Sequence, residues 1–270
     1  MNKGKGENRV NVGLVNVRSW NMGKLGEICK EMEKSGIHLL AVTQTNLRGN
    51  INEVFNKYRM FGKGRDKFCR QGGGVGLIFK EDDDIKIEEV DIDNDCKEGE
   101  DIALYRCQGI KGNKDSKVGD LLIIVCYMTV EGLNMEENDK KYQVLQSLVS
   151  KYEKEKIVIM GDMNGHTGIL GERVNKNGDK LLQFADINGL EILNHTIGEG
   201  KVTWKGRGFE SAIDYVLVNQ QARIFVNGMV IDEEGEVEFD TDHNLIILKY
   251  GVKEMKIRGD DKRISQGSNG

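Results

Sequence analysis

The chain contains no proline, and only five cysteines stand among its 270 residues. Proline ordinarily makes up about 5% of a chain, so here the sharp turns fall to glycine, of which there are 34. The cysteines (Cys29, Cys69, Cys96, Cys107 and Cys126) are odd in number and lack C-x-x-C spacing. That argues against a disulfide framework and against a structural zinc site. Cys107 and Cys126 fall inside apolar, strand-like runs and read as buried free thiols. A reducing compartment, nuclear or cytoplasmic, is expected. No apolar run approaches the roughly 20 residues that a bilayer span requires. The first residues, MNKGKGENRV, lack the apolar centre of a secretory signal. No membrane partner is expected.

Charge of one sign is also wanting. With 39 basic and 44 acidic residues the net charge is −5, which excludes holding nucleic acid by overall attraction. A local basic face remains compatible with it. Much of the acid lies in residues 80–101, KEDDDIKIEEVDIDNDCKEGED, which read as a solvated edge. Outside that block the chain is slightly basic, as a protein that binds a phosphate-bearing ligand can be.

What is present is alternation. VNVGLVNV (10–17) reads as a strand, and GKLGEICKEMEKSG (23–36) has Leu25, Ile28 and Met32 at helical spacing. HLLAVTQ, GGGVGLIFK, ALYRCQGI and DLLIIVCYM follow as strands, then a helix over about 136–153. KIVIMGDMNGH (156–166) begins as an apolar strand and ends in a Gly-Asp-x-Asn turn, and a helix spans about 178–188. LEILN, KVTWKG, SAIDYVLVN, RIFVNGMVI and HNLIILKYG complete the pattern. Strands throughout with helices between some of them suit two sheets packed face to face and flanked by helices. No repeat or linker divides the chain. One domain over 9–252 is expected, with flexible tails at 1–8 and 253–270.

Several strands end on a side chain of catalytic type. NVRSWN closes a strand on Asn16. IVIMGDMN presents Asp162 and Asn164, which point the same way if the turn stays extended, one able to take a proton and one to bind an oxyanion. AIDYVLVN holds Asp214 among apolar residues, where an unpaired carboxylate is costly. FDTDHNLII sets Asp242 beside His243. Singly, each has a plain structural reading as a turn former, a surface pair or a buried ion pair. Jointly they do not, because a buried aspartate beside a histidine orients the ring and stabilises its charged form. The remaining acids could then hold a hard cation through oxygen.

In these segments the chain resembles the endonuclease/exonuclease/phosphatase superfamily. More narrowly it is similar to the apurinic-type endonuclease domain of non-LTR retrotransposons and to craniofacial development protein 2-like sequences. NVRSWNMGKL, LLAVTQTNL, GGGVGLIF, IVCYM, IVIMGDMNGHTG, VTWKG, SAIDYVLVN and TDHNLI carry the resemblance, in the family's order, over about residues 10–250. It implies a four-layer α/β/β/α sandwich of two mixed sheets and a Mg²⁺-dependent phosphodiester hydrolase that nicks DNA, with Mn²⁺ as a substitute ion. It further implies that Asn16, Gln44 and Asp242 surround the metal and that Tyr127 contacts the scissile phosphate. Asp162 would activate water, Asn164 and His243 would bind the phosphate, and Asp214 would pair with His243. Thr203 and Trp204 match a structural strand, and a monomer is implied.

One position departs from the family. Its pattern at the end of the second strand is Thr-Glu-Thr or Gln-Glu-Thr, and this chain reads Thr43-Gln44-Thr45. Glutamine keeps a carbonyl at similar reach without the charge, and Mg²⁺ is usually held by one or two carboxylates. Asp242 is left as the main anionic ligand, with Arg18 close to Asn16 in sequence. The readings that follow are a weakened endonuclease, a catalytically dead domain with residual nucleic-acid binding, and a phosphatase or lipid phosphodiesterase on the same core.

Overall fold

Alternating apolar segments build two sheets. The computed structural model describes residues 9–65, 72–81, 85–92, 101–110, 118–133 and 135–252. The expected tails at 1–8 and 253–270, together with Cys69 and Cys96, lie outside the described residues. The larger sheet runs in the order β11 (Gly198–Glu199), β15 (Val226–Ile231), β16 (Ile246–Gly251), β1 (Arg9–Asn16), β2 (Leu39–Thr43), β5 (Val75–Lys80), β4 (Tyr58–Lys63) and β3 (Ile51–Phe55). The smaller has β10 (Glu191–Ile192), β14 (Asp214–Val218), β9 (Lys156–Asp162), β8 (Leu121–Tyr127), β7 (Ile102–Gln108) and β6 (Lys86–Val90). A separate hairpin joins β12 (Trp204–Gly206) to β13 (Phe209–Ser211). The helices are α1 (Met22–Lys34), α2 (Met135–Lys151), α3 (Lys176–Ile187) and the single turns α4 (Leu193–Thr196) and α5 (Gln220–Arg223).

Strand alternation sends side chains to opposite faces, and each face finds its own partner. Val12, Leu14, Ala41 and Leu77 of the larger sheet meet Tyr105, Ile123, Val125, Met160 and Val216 of the smaller in a core between the sheets. The outer face of the smaller sheet packs under Leu145 and Leu148 of α2 and Leu181 and Phe184 of α3. The outer face of the larger is covered by Leu25, Ile28 and Met32 of α1. The four layers expected from the sequence are therefore present. Local signals set the helix starts: Asn21 and Asn175 accept backbone N–H bonds from Lys24 and Gly178 at 3.0 and 2.8 Å, as N-caps do. Cys29, Cys107 and Cys126 are buried and unpaired.

Three sequence readings need correction. The second strand stops at Thr43, and Gln44 lies beyond it with φ 51°. The turn after β9 is not extended, because Asn164 has φ 45°, so it does not share a face with Asp162 through strand alternation. In the acidic block, β6 is an edge strand with exposed carboxylates as expected, yet Asp101 at the block's end is only 1% exposed. Residues 82–84 and 93–100 of that block lie outside the described residues.

The topology decides where chemistry can occur. β1 and β2 run parallel with Asn16 opposite Thr43, and β8 and β9 run parallel with Tyr127 opposite Asp162. Antiparallel β14 begins at Asp214, opposite Asp162. β16 pairs antiparallel with β1, Ile246 opposite Leu14, so the residues just before it also reach this end. Close approach of β8 and β9 depends on Gly161, where a Cβ would lie 1.8 Å from the Cys126 carbonyl oxygen. Gly161→Ala is expected to cost roughly 1–3 kcal/mol or more by overpacking, read as a lower denaturant midpoint with the unfolding slope unchanged.

Candidate active site

Asp162, Asp214 and His243 come together first. The ligand-type atoms of all three lie within 4.8 Å of one another. His243 Nδ1 and Asp214 Oδ2 are 2.8 Å apart, and both residues are buried. The second Asp214 oxygen has no partner among the described residues, so the imidazole is what compensates this carboxylate. Burial alone would push His243 down, but the charge and hydrogen bond of Asp214, with Asp162 beyond, raise it to about 9. The ring is thus a cation at neutral pH and cannot ligate a metal through Nδ1. Burial, and then the charge of Asp214, hold the Asp162 carboxyl well above the usual carboxylate range.

Asn16 connects the two sheets at this point. Its Nδ2 donates to Asp162 Oδ2 at 2.8 Å and to Gln44 Oε1 at 2.9 Å, while its Oδ1 accepts from the Arg18 N–H at 2.8 Å. The amide therefore turns its N–H₂ toward the cleft. Asp242, 29% exposed at its side chain, sits with Oδ1 4.0 Å from His243 Nε2 and 3.5 Å from Arg18 Nε. Asn164 donates its backbone N–H to Asp162 Oδ1 at 3.0 Å and its side chain to the Met128 carbonyl at 2.8 Å. All eight residues expected from the sequence, Asn16, Gln44, Tyr127, Asp162, Asn164, Asp214, Asp242 and His243, cluster at one end of the sandwich.

Thr203 and Trp204 hold this end in place. Thr203 Oγ1 accepts from the backbone N–H of Ile213 and of Asp214 at 2.9 and 3.0 Å, which fixes the start of β14. The hairpin of β12 and β13 is tied to the Asp242-His243 turn by Lys205 N to Asp242 O at 2.9 Å and Asn244 N to Thr203 O at 2.7 Å. Its tip, Arg207-Gly208, has φ 52° and 81°, the two-residue turn that suits strand twist, and Phe209 beside it is exposed.

A buried ionic group behind Tyr127 was not foreseen. Arg65 Nε donates to both Asp101 oxygens at 3.1 and 3.2 Å, and Lys141 Nζ donates to Asp101 Oδ2 at 2.6 Å. Arg65 and Lys141 also each pair with Glu137 at 2.8 Å. Lys141 Nζ then donates to the Tyr127 carbonyl at 3.1 Å and lies 5.8 Å from the centre of its ring. Asp101 Oδ1 further accepts the Gly74 N–H at 2.7 Å. This explains the glycine run: Gly73 has φ 77°, and a Cβ there would lie 2.3 Å from Asp101 Oδ1. One sequence signal existed, since Lys141 shares the apolar helical face with Leu145 and Leu148.

Oxygen donors of the kind a hard divalent cation takes are present in Asp242 and Gln44, whereas Asn16, expected to join them, has its carbonyl committed to the Arg18 N–H and turns its N–H₂ inward. The two fit such an ion, though weakly, since Gln44 is neutral and Asp242 already faces a guanidinium. The two-sheet fold is similar to that of solved proteins of the endonuclease/exonuclease/phosphatase family. Residues 121–247 match a family model described as endonuclease-reverse transcriptase. The chain is 27% identical over 275 residues to craniofacial development protein 2 of Tragulus javanicus, covering 96% of this chain and 45% of that protein. It is 27% identical over 259 residues to the Bos taurus protein of that name, covering 90% and 41%. It thus spans less than half the length of the curated relatives it matches. Among solved structures, the endonuclease domain of TRAS1, a telomere-specific non-LTR retrotransposon, superposes with TM-score 0.71 at 14% identity, covering 91% of this chain and all of that one, 100%. The AP endonuclease LMAP from Leishmania major gives TM-score 0.69 at 12% identity, covering 90% and 88%.

Two outcomes follow from these charges. Because the His243 pKa is raised on folding, its contribution is fully present below about pH 6.5 and is lost as pH rises through about 9. Asp214→Asn should move the His243 NMR titration from about 9 to below 6.5. It should also abolish the fall in stability across that window, on the order of 3 kcal/mol. For Asp101, burial raises the carboxyl but Lys141 and Arg65 outweigh it, so its pKa is lowered and its contribution is lost as pH falls through the folded value. Asp101→Asn should cost roughly 3–5 kcal/mol at neutral pH, with a flatter acid limb in a denaturation series.

Proposed function

We propose that this chain is a divalent-metal-dependent phosphodiester hydrolase, a DNA-nicking endonuclease domain of retrotransposon type, weakened by Gln44. The observation that carries the reading is the buried triad of Asp162, Asp214 and His243 at the strand ends, ringed by Asn16, Gln44, Tyr127 and Asn164. Asp242 and Gln44 would hold Mg²⁺ or Mn²⁺, with Asn16 beside them orienting Gln44 and Asp162. When bound, the ion supplies charge neutralisation at the phosphate oxygens.

The chain's own residues do the rest. Asp162 accepts a proton from the attacking water, a task suited to a carboxylate whose pKa is raised. The water oxygen bonds to phosphorus in line, the bond from phosphorus to the 3′ oxygen breaks, and that oxygen takes a proton from solvent, giving a 3′ hydroxyl and a 5′ phosphate. His243, held protonated by Asp214, donates to a phosphate oxygen and stabilises the charge that builds there. Tyr127 and Asn164 position the phosphate from the smaller sheet. The DNA is the substrate, the domain acts as a monomer in the nucleus or cytoplasm, and no membrane is involved. Among the described residues no helix is long and apolar enough to cross one.

A second reading, an inactive domain that keeps the fold and binds nucleic acid, is favoured by the missing charge at Gln44 and by the Arg18–Asp242 contact. Nicking of supercoiled plasmid over Mg²⁺ and Mn²⁺ series separates the two. The wild type should nick only at high Mg²⁺ or with Mn²⁺, and Gln44→Glu should raise the rate about tenfold or more. Absence of nicking by both proteins would favour the inactive domain. Hydrolysis of an inositol phosphate or lipid instead would replace the substrate.

A further inference from the structure

Arg18 is delivered to Asp242 by its backbone. The residue has φ 55°, a left-handed conformation that costs an arginine energy. It is held there from both sides. Its N–H donates to Asn16 Oδ1 at 2.8 Å, and its carbonyl accepts from Asn46 Nδ2 at 2.8 Å. The guanidinium then stands 3.5 Å from Asp242 Oδ1 while the side chain stays 58% exposed. So exposed a pair adds little to stability; the two backbone bonds hold the turn, and the guanidinium is placed at Asp242 as a result.

Asp242 is the carboxylate on which the proposed ion depends most. Gln44 adds no charge and Asn16 presents its N–H₂, so among these three the anion is Asp242 alone. A cation arriving there meets the guanidinium that already stands 3.5 Å from Asp242 Oδ1. We propose that Arg18 is an internal counter-ion that competes with the divalent cation for Asp242. Ion affinity is then limited twice, by the neutral amide at 44 and by the guanidinium at 18, and a carboxylate at 44 restores only part of it. A phosphodiester offers the planar guanidinium two oxygens at once, a stronger partner than one carboxylate oxygen at this distance. A bound strand therefore draws Arg18 off Asp242, and ion and strand bind with positive coupling.

The inference rests on reading Asp242 as a ligand, and direct ion binding tests it apart from catalysis. Mn²⁺ binding to the full chain is measured by the loss of the free-ion EPR signal, for wild type, Arg18→Gln, Arg18→Lys and Arg18→Gln combined with Asp242→Asn. At low ionic strength Arg18→Gln should bind about five- to tenfold more tightly than wild type. Arg18→Lys keeps the charge and should stay within about twofold of wild type. Adding Asp242→Asn should erase the gain, and about 1 M salt should shrink it. Equal or weaker binding by Arg18→Gln, or a gain that survives Asp242→Asn, overturns the inference even if Gln44→Glu nicks plasmid. The expected set of affinities supports it even if no variant nicks.

Discussion

The hydrogen bond between Asp214 and His243 ties the chemistry to the fold. Asp214 opens β14 at the point where that strand pairs with Asp162, and His243 stands on the turn that feeds β16 of the other sheet. A buried carboxylate and a buried imidazole would each be costly alone, and together they form a charge-assisted pair. That pair fixes which nitrogen of the ring is occupied, keeps the ring charged at neutral pH, and leaves Nε2 as the face turned toward Asp242. Thr203 contributes by pinning the Asp214 backbone.

Around this pair the balance of charge, more than shape, distinguishes the site. Asn16 occupies a position where one amide reaches both sheets, and its carbonyl is committed to the Arg18 backbone. The N–H₂ must then face acceptors, and Gln44 and Asp162 supply them. A glutamine is a good neighbour for such a donor whether or not a cation is near. Local packing can therefore tolerate the neutral side chain even while affinity for a hard ion falls.

Behind Tyr127, Asp101, Arg65, Lys141 and Glu137 perform a mechanical task. They join the loop before β5, the start of β7, the end of β8 and the first turns of α2, so that both sheets and one helix meet in a single cluster of charges. Each ion has at least one opposite partner, the condition under which burying charge is tolerable. Gly72, Gly73 and Gly74 all have positive φ; Gly73 lets the backbone pass over the Asp101 carboxylate, and Gly74 leaves room for Thr45 Oγ1. With proline absent, runs of this kind carry the turns.

Much of this was written locally. The period-2 and period-3.6 patterns marked most strands and the three long helices, and the ordered polar residues at strand ends marked Asn16, Asp162, Asp214, Asp242 and His243, because each pattern spans only a few residues. The β3–β4 hairpin escaped notice because its strands are short and only half buried. What tertiary structure decided were pairings between distant residues: Arg18 with Asp242, Arg65 with Asp101, Asp101 with Lys141. Composition could not separate a solvated acid at 101 from a buried one. Nor could alternation foresee the left-handed Asn164, since backbone twist at a turn depends on what the turn packs against. Sequence alone determined which side chains reach the end of the sandwich; packing decided which atom of each faces which neighbour, because hydrogen-bond direction and charge compensation exist only between groups already brought together.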